Sequence, residues 1–327
     1  MLAVTAGCAS SPLAGKPPTI EPARAAQSPP ASEQPSGVVW PLAGPATAAL
    51  FDPGVRQLAT LEPGAASLTV FAAPQGTPRV IALPGPGTAL AGDGRGKAYV
   101  AGRGGYVVVE LATGHTTSVS VAGEQQTDFT AIARRADGRL VLGSADGAVC
   151  LLASPDRTGT APVSSRNKIF DRVDYLVAQG NTTVVLDRGQ TSVTSIDADG
   201  RVRESLRAGE GATTLAADPL GVVLAADTRG GQLLVYGVDP LMLRQAYPVR
   251  EAPYGLAGSR ELAWVSQTGS NMVVGYDLST GIPVEKVRYP TVQQPNSLAF
   301  DEQSGTLYVV SGSGAGVQVI EHAAGTP

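Results

Sequence analysis

Short apolar runs separated by turn residues recur along the chain from residue 40 onward. An apolar residue among small residues returns at intervals of 38 to 45 positions, and a turn and a β-rich run follow it each time. The recurring apolar residues are Leu50, Leu90, Ile132, Val177, Leu215, Leu256 and Leu298. Runs of four to seven residues that are separated by turn residues are typical of β-strands. The pattern therefore predicts an all-β protein made of seven similar units.

Each unit has room for four strands. The second strands are predicted at Arg56–Leu61, Lys97–Ala101, Arg139–Gly143, Thr182–Leu186, Gly221–Ala225, Glu261–Ser266 and Thr306–Ser311. Four strands in a period of 40 to 45 residues are typical of a β-propeller. We therefore predict a seven-bladed β-propeller of four-stranded blades over residues 37–327. Its small residues are expected on inner strands that converge on the axis.

The last unit lacks one strand. It provides strands at Asn296–Phe300, Thr306–Ser311 and Gly316–Glu321, and too few residues follow for a fourth. An open blade would leave an unpaired edge. The apolar segment Gly37–Leu42 precedes the first inner strand, and its Pro41 is tolerated in an edge strand. This N-terminal strand is therefore predicted to close the ring as the outer strand of the seventh blade.

The stretch before the propeller has a different composition. Residues 9–36 contain seven Pro, six Ala and five Ser, and Leu13 and Ile20 are their only large apolar residues. Such a segment buries too little apolar surface to offset its ordering entropy. We expect residues 9–36 to form a disordered tether that spans roughly 30 Å as a loose coil.

The first eight residues end in Ala6-Gly7-Cys8, which resembles the lipobox of bacterial lipoproteins. The resemblance implies that residues 1–8 are the remnant of a signal peptide and that Cys8 is the site of lipid attachment. It further implies an extracytoplasmic protein that is anchored to the bacterial cell membrane. Several acyl chains on one cysteine would anchor it firmly, whereas a single chain binds only marginally.

One repeat is similar to a known propeller family. Glu261–Gly281 has the sequence ELAWVSQTGSNMVVGYDLSTG and resembles the YVTN-type repeat, and Thr306–Ile320 and Lys97–Gly114 resemble it more loosely. Together with the lipobox, the chain resembles the actinobacterial propeller lipoproteins of the LppL group. This resemblance implies a WD40-like platform in the cell envelope.

Composition excludes several function classes. Gly and Pro make up a fifth of the 327 residues, which excludes a helical bundle. The net charge is −4, with 20 Arg, four Lys and no basic cluster, so nucleic acid is not an expected partner. With two Cys and two His, we expect no metal site and no cofactor. His115 is predicted in a turn and His322 in the tail, so we assign no catalytic residue.

Propellers bind ligands at the loops between second and third strands and at the connections between blades. We predict a binding face that consists of Arg103, Arg188, Arg229, Gln267, Asn271, Gln294 and Asn296. Its three arginines can converge on an anion above the channel. The alternative is that Arg188 and Arg229 form surface ion pairs with Asp187 and Asp227, which contribute little.

The connection Thr158–Asp174 is longer than the others and contains Phe170 among cationic residues. Long loops on a rigid scaffold often carry recognition. We predict either an exposed aromatic contact for a protein partner or a loop that covers the edge of a blade.

Three functions are compatible with these features. The leading interpretation is a non-catalytic, membrane-tethered, monomeric platform that binds an envelope protein or a small ligand at its loop face. One alternative is a hydrolase similar to the lactonases that share this repeat, in which Asp128 or Asp174 would replace a catalytic His. Another is a sensor of small ligands or carbohydrates, in which Tyr254 and Phe129 would provide the aromatic contacts.

Overall fold

The structure, a computed structural model, describes residues 18–325 of the chain. Within this range, 29 strands form seven antiparallel sheets, one of which also carries a short parallel strand. Each sheet is one blade, and the seven blades form a ring. The predicted seven-bladed β-propeller is therefore confirmed.

The strands of each blade follow the chain from the channel to the rim. Blade 1 consists of Ala48–Asp52, Gln57–Leu61, Ser67–Ala72 and Thr77–Ala82. Blade 2 consists of Ala89–Gly92, Lys97–Gly102, Gly105–Glu110 and Thr116–Val121. Blade 3 consists of Phe129–Arg134, Leu140–Ser144, Ala148–Leu152 and Val163–Lys168. Blade 4 consists of Tyr175–Gln179, Thr182–Asp187, Ser192–Ile196 and Val202–Arg207.

The remaining blades have the same arrangement. Blade 5 consists of Ala212–Asp218, Val222–Asp227, Gln232–Val238 and Leu241–Pro248. Blade 6 consists of Pro253–Gly258, Ala263–Gln267, Met272–Asp277 and Val284–Pro290. Blade 7 consists of Pro295–Asp301, Thr306–Ser311, Val317–Ile320 and, from the N-terminus, Val38–Trp40. The second strands lie within about two residues of their predicted positions, which is the usual uncertainty of an element boundary.

The channel is lined by the inner strands. All seven recurring apolar residues face it, from Leu50 in blade 1 to Leu298 in blade 7. Small residues such as Ala91, Ala133 and Gly255 stand beside them. The repeat period of about 41 residues therefore corresponds to one position on the channel wall, which each blade provides once.

Hydroxyl groups tie neighbouring blades together at the start of the inner strands. The hydroxyl of Thr88 in blade 2 donates to the carbonyl oxygen of Phe129 in blade 3 at 2.6 Å. Thr130 donates in the same way to Val173, and Thr214 donates to Tyr254. The partners are separated by 40 to 43 residues, which is the period of the repeat. These hydrogen bonds link the blades in addition to the apolar packing between the sheets.

The N-terminal strand closes the ring as predicted. Val38 pairs with Val319 and Trp40 with Val317, both in antiparallel register. Trp40 is buried and stacks on Phe71 of blade 1 with ring centroids 5.8 Å apart. The closing strand therefore joins blade 7 to blade 1 through its side chains as well as through its backbone. Pro41 lies just outside the strand.

Two alternatives were open for Thr158–Asp174, and the first of them, an exposed Phe170, is wrong. Val163–Lys168 is the outer strand of blade 3, and Thr160–Ala161 pairs in parallel with the outer strand of blade 2. Phe170 is buried in the cluster between blades 3 and 4. The sequence pattern failed here because the polar outer strand, VSSRNK, alternates too weakly in hydrophobicity to be read as a strand.

Candidate functional site at the mouth of the channel

The mouth face is the end of the ring that carries the loops between second and third strands and the connections between blades. The opposite face carries the other turns. Six of the seven predicted binding residues lie in these loops or connections, or at a strand end beside them, and Asn296 is on the inner strand of blade 7.

An extended segment, residues 20–29, lies on the mouth face over blades 4 to 7. We call it the strap. The N–H of Ile20 donates to the carbonyl oxygen of Gly189 in blade 4 at 2.8 Å. At the other end, the carbonyl oxygen of Pro29 accepts a hydrogen bond from the Asn271 amide of blade 6 at 2.8 Å. The prediction of a disordered tether covers residues 9–36, and within that range residues 20–29 make these contacts.

Side-chain donors of the propeller hold the main chain of the strap. Arg229 donates to the carbonyl oxygen of Glu21 at 2.6 Å, and Arg188 donates to that of Ala23. Gln294 donates to the carbonyl oxygen of Ala26 at 2.9 Å. Four of the predicted binding residues, Arg188, Arg229, Asn271 and Gln294, are therefore occupied by the protein's own N-terminal segment.

Ser28 is the most closely bound residue of the strap. Its hydroxyl donates to the carbonyl oxygen of Thr268 at 2.6 Å and accepts from the N–H of Gln294 at 3.1 Å. Its own N–H donates to the Gln294 side-chain oxygen at 3.0 Å. Ser28 is 5% exposed, so these bonds are shielded from water.

Two buried aspartates shape the loops that carry the arginines. Asp227 accepts from the N–H groups of Glu210, Gly211 and Gly230 at 2.8 to 3.0 Å. Asp187 accepts in the same way from the N–H of Gln190 at 2.8 Å and from the N–H of Asp171.

Both aspartates have no exposed surface. The predicted surface pairs of Asp187 with Arg188 and of Asp227 with Arg229 are therefore wrong. The carboxylates bind backbone N–H groups, and the arginines extend to the strap.

Over blades 1 to 3 the mouth face is open. A cavity of about 680 Å³ lies there, and its walls include Pro86, Gly87, Arg103, Asp128, Thr130 and Arg172. Its floor is low because the hairpin of blade 2 has a two-residue turn, Arg103–Gly104, between Gly102 and Gly105. The corresponding loops of blades 4, 5 and 6 contain four residues each.

Arg103 is the predicted residue of this open half. Its side chain is 64% exposed, and it lies 3.6 Å from Asp128 and 2.8 Å from the amide oxygen of Gln126. It lines the cavity over blades 1 to 3, whereas Arg188 and Arg229 bind the strap. The three arginines therefore do not converge on one anion, which corrects that expectation.

Gln267 and Asn296 have positioning roles in the structure. Gln267 is 3% exposed and bridges the carbonyl oxygen of Arg250 and the guanidinium of Arg288. Asn296 accepts from the side chain of Gln294 at 2.9 Å and lines the channel. Neither side chain projects freely from the face.

The groups considered for catalysis are engaged. The Asp174 carboxylate accepts from the N–H of Arg188 at 2.8 Å and lies 3.3 Å from the guanidinium of Arg172. Burial raises the pKa of Asp174 above its usual value, although Arg188 and Arg172 oppose the shift. Asp128 is 61% exposed and lies beside Arg103. Phe129 is fully buried, so it cannot provide an aromatic contact to a ligand.

A second cavity of about 620 Å³ lies on the opposite face, between blades 6, 7 and 1. His322 and Glu321 line it together with Arg56, whose guanidinium pairs with the buried Asp301 at 3.0 Å. The sequence placed His322 in a free tail, and the structure places it in this wall. Over residues 18–325, no group of three or more His, Cys, Asp or Glu is arranged to hold a metal ion.

The predicted lipid-attachment residue Cys8 lies outside the described residues. The helices needed to cross a membrane, long and apolar, do not occur between residues 18 and 325.

Comparison with known proteins identifies the fold. No protein-family model and no curated protein matches the chain. A chain of the mitotic checkpoint complex is similar in structure with a TM-score of 0.74 and 12% identity, over 91% of this chain and 98% of that one. The WD40 repeats of RRP9 align with a TM-score of 0.71 and 13% identity, over 85% and 94% of the two chains.

Streptogramin B lyase aligns with a TM-score of 0.69 and 12% identity, over 88% of this chain and 97% of the lyase. At these identities the likeness concerns architecture, because one fold hosts unrelated functions. The chain has the architecture of a WD40-like, seven-bladed β-propeller.

Proposed function

We propose that this protein is a non-catalytic binding platform of the bacterial cell envelope, tethered through Cys8, that binds protein partners at its mouth face. The observation that supports the proposal is the strap. The mouth face already holds an extended polypeptide through side-chain donors from four neighbouring blades. A surface built to bind the main chain of one segment has the chemistry to bind another.

The open half of the mouth face is the surface that we assign to the partner. It combines a cavity of about 680 Å³ with the exposed cation Arg103 and the half-exposed Arg172. Arginine is favoured at protein interfaces, because its planar guanidinium makes several hydrogen bonds at once.

The strap also suggests how the propeller is oriented. It reaches the mouth face at Ile20, and residues 9–19 lie between this contact and Cys8. A fully extended chain of that length spans about 40 Å. A lipid on Cys8 would therefore hold the mouth face toward the membrane within this distance.

The proposal is tested by photo-crosslinking in the native host. A photoreactive residue at position 103 should crosslink to a defined envelope protein, and one at position 201, an exposed arginine of a turn on the opposite face, should not. Arg103→Glu should abolish the complex and Arg201→Glu should preserve it. Mass spectrometry of the same material should find acylated Cys8. Equal crosslinking at both positions, or a cytoplasmic protein with unmodified Cys8, would refute the proposal.

A further inference from the structure

We infer that the half of the mouth face over blades 4 to 7 is a peptide-binding groove for an extended, proline-containing segment, and that the strap occupies it in cis. The inference deepens the proposed platform function and rests on it, because it names the chemical class of one partner. The ligand is a segment of another polypeptide with small side chains at two anchor positions, five residues apart.

The contacts of the strap explain why proline fits. The groove donates to the carbonyl oxygens of residues 21, 23, 26 and 29. A residue that accepts at its carbonyl needs no N–H of its own. Pro29 is such a residue, and Pro22 and Pro30 lie next to residues that accept. Proline also restricts the backbone of the free chain, which reduces the entropy lost on binding.

The groove recognises two side chains of the strap. Ala23 and Ser28 are buried, whereas Glu21, Arg24 and Gln27 are exposed. Ala23 packs against Gly211, where an added Cβ would lie 3.0 Å from the Cβ of Ala23. The first anchor therefore requires a small side chain. Serine is the preferred residue at the second anchor, because the hydroxyl of Ser28 forms hydrogen bonds with Thr268 and Gln294.

The propeller itself positions the donors. The Asn271 side-chain oxygen accepts from the N–H of Gln294 at 3.1 Å, and both residues have positive φ angles, 52° and 59°. Arg229 donates to the carbonyl oxygen of Glu210 at 3.3 Å in addition to its bond to the strap. A groove whose donors are held by its own loops loses little freedom when a ligand binds.

The strap has the features of an exchangeable occupant. It forms no strand with any blade over residues 20–29, and it buries only two side chains. Residues 31–34, which connect it to the rest of the chain, are exposed. Its attachment in cis gives it an effective concentration in the millimolar range, so a free peptide must compete with it.

The experiment uses the full chain with Cys8→Ser and with residues 31–35 replaced by the recognition sequence of a specific protease. Cleavage after folding leaves the groove unchanged and frees the strap to dissociate on washing. A fluorescein-labelled peptide of residues 18–30 should then bind the nicked protein saturably and should bind the uncut protein at least tenfold more weakly.

Matched peptides test the two anchors. Ala23→Asp and Ser28→Ala should weaken binding about tenfold, as the loss of buried contacts predicts, whereas Arg24→Ala should leave it unchanged. Asn271→Gly in the protein, which keeps the positive φ angle, should weaken binding of the unaltered peptide.

Two results would overturn the inference. One is a strap that stays on the nicked protein until the propeller itself unfolds. The other is equal binding of the native peptide and a scrambled peptide of the same composition. Crosslinking at Arg103 would persist in either case if the platform function is correct, so the two failures are distinguishable.

Discussion

The two halves of the mouth face use equivalent loops of one repeated fold and differ in what covers them. Over blades 4 to 6, four-residue hairpin loops carry Arg188, Arg229 and Asn271 to the strap. Over blades 2 and 3 the hairpins contain two and three residues, and a cavity lies above them. The four-residue loops therefore carry donors that hold the strap, and the short hairpins of blades 2 and 3 leave room for the cavity.

Carboxylates in the two halves also differ. In the covered half, Asp227 is buried and bound to backbone N–H groups, and burial raises the pKa of Asp174. In the open half, Asp146 is 52% exposed, and its hydrogen bonds to Lys168 and Ser144 lower its pKa. The covered half is thus organised like a protein interior, and the open half like a surface that is available to partners.

The largest expected effect comes from Asp227. Asp227→Ala leaves three backbone N–H groups without their acceptor in a buried loop. Each buried unsatisfied donor costs about 1–3 kcal/mol, so the free energy of unfolding should fall by at least about 3 kcal/mol. Denaturant unfolding measures this. The control in the open half, Asp146→Ala, should lower it by less than about 1 kcal/mol. Similar losses for both variants would show that the two halves do not differ as described.

A smaller effect is expected for Ser28→Ala, which removes the hydroxyl bonds that anchor the strap. Arg24 lies in the strap, so trypsin can cleave after it once the strap opens, and the rate follows the population of the open form. Loss of these bonds should raise the cleavage rate about tenfold. Gln27→Ala, at an exposed position, should leave the rate unchanged. Equal rates for all three proteins would mean that the hydroxyl does not hold the strap.

The pH dependence of stability should have opposite signs in the two halves. The raised pKa of Asp174 means that the folded state binds its proton more tightly than the unfolded state, so this residue's contribution falls as pH rises through the raised pKa. The lowered pKa of Asp146 gives a contribution that is present above the ordinary Asp value and is lost as pH falls through the folded pKa.

Denaturant unfolding of Asp174→Asn and Asp146→Asn between about pH 3 and about pH 7 measures both contributions. Relative to the parent, Asp174→Asn should gain stability as pH rises and Asp146→Asn should lose it. Differences of the same sign in the two variants would contradict this assignment.

The smallest effect is expected for Arg103→Ala. Its ion pair with Asp128 is long and both side chains are more than half exposed, so the free energy of unfolding should change by less than about 0.5 kcal/mol. Thermal unfolding at two salt concentrations checks this, with Arg201→Ala as the control. A loss of 2 kcal/mol or more would show that Arg103 supports the fold instead of facing a partner.

Local patterns in the sequence were sufficient for the architecture. The spacing of the apolar residues from Leu50 to Leu298 identified seven inner strands, because the ring repeats one wall position in every blade. The seventh unit's missing fourth strand also led to the prediction that Gly37–Leu42 closes the ring, and the structure has this strand at Val38–Trp40. The first inference uses contacts that recur with the period of the repeat, and the second uses the need to pair an open sheet edge. Both can be recognised from the sequence of residues alone.

The character of the mouth face depended on contacts between residues that are far apart in the chain. Ser28 and Gln294 are separated by 266 positions, and Ala23 and Arg188 by 165, so no local pattern links them. The composition of the strap is that of a disordered segment, and what holds it on the mouth face is a set of contacts with four blades, among them side-chain donors to its carbonyl oxygens. The same reason explains Arg188 and Arg229. Each follows an aspartate within two positions of the sequence, but the buried carboxylates bind backbone N–H groups and the arginines bind the strap.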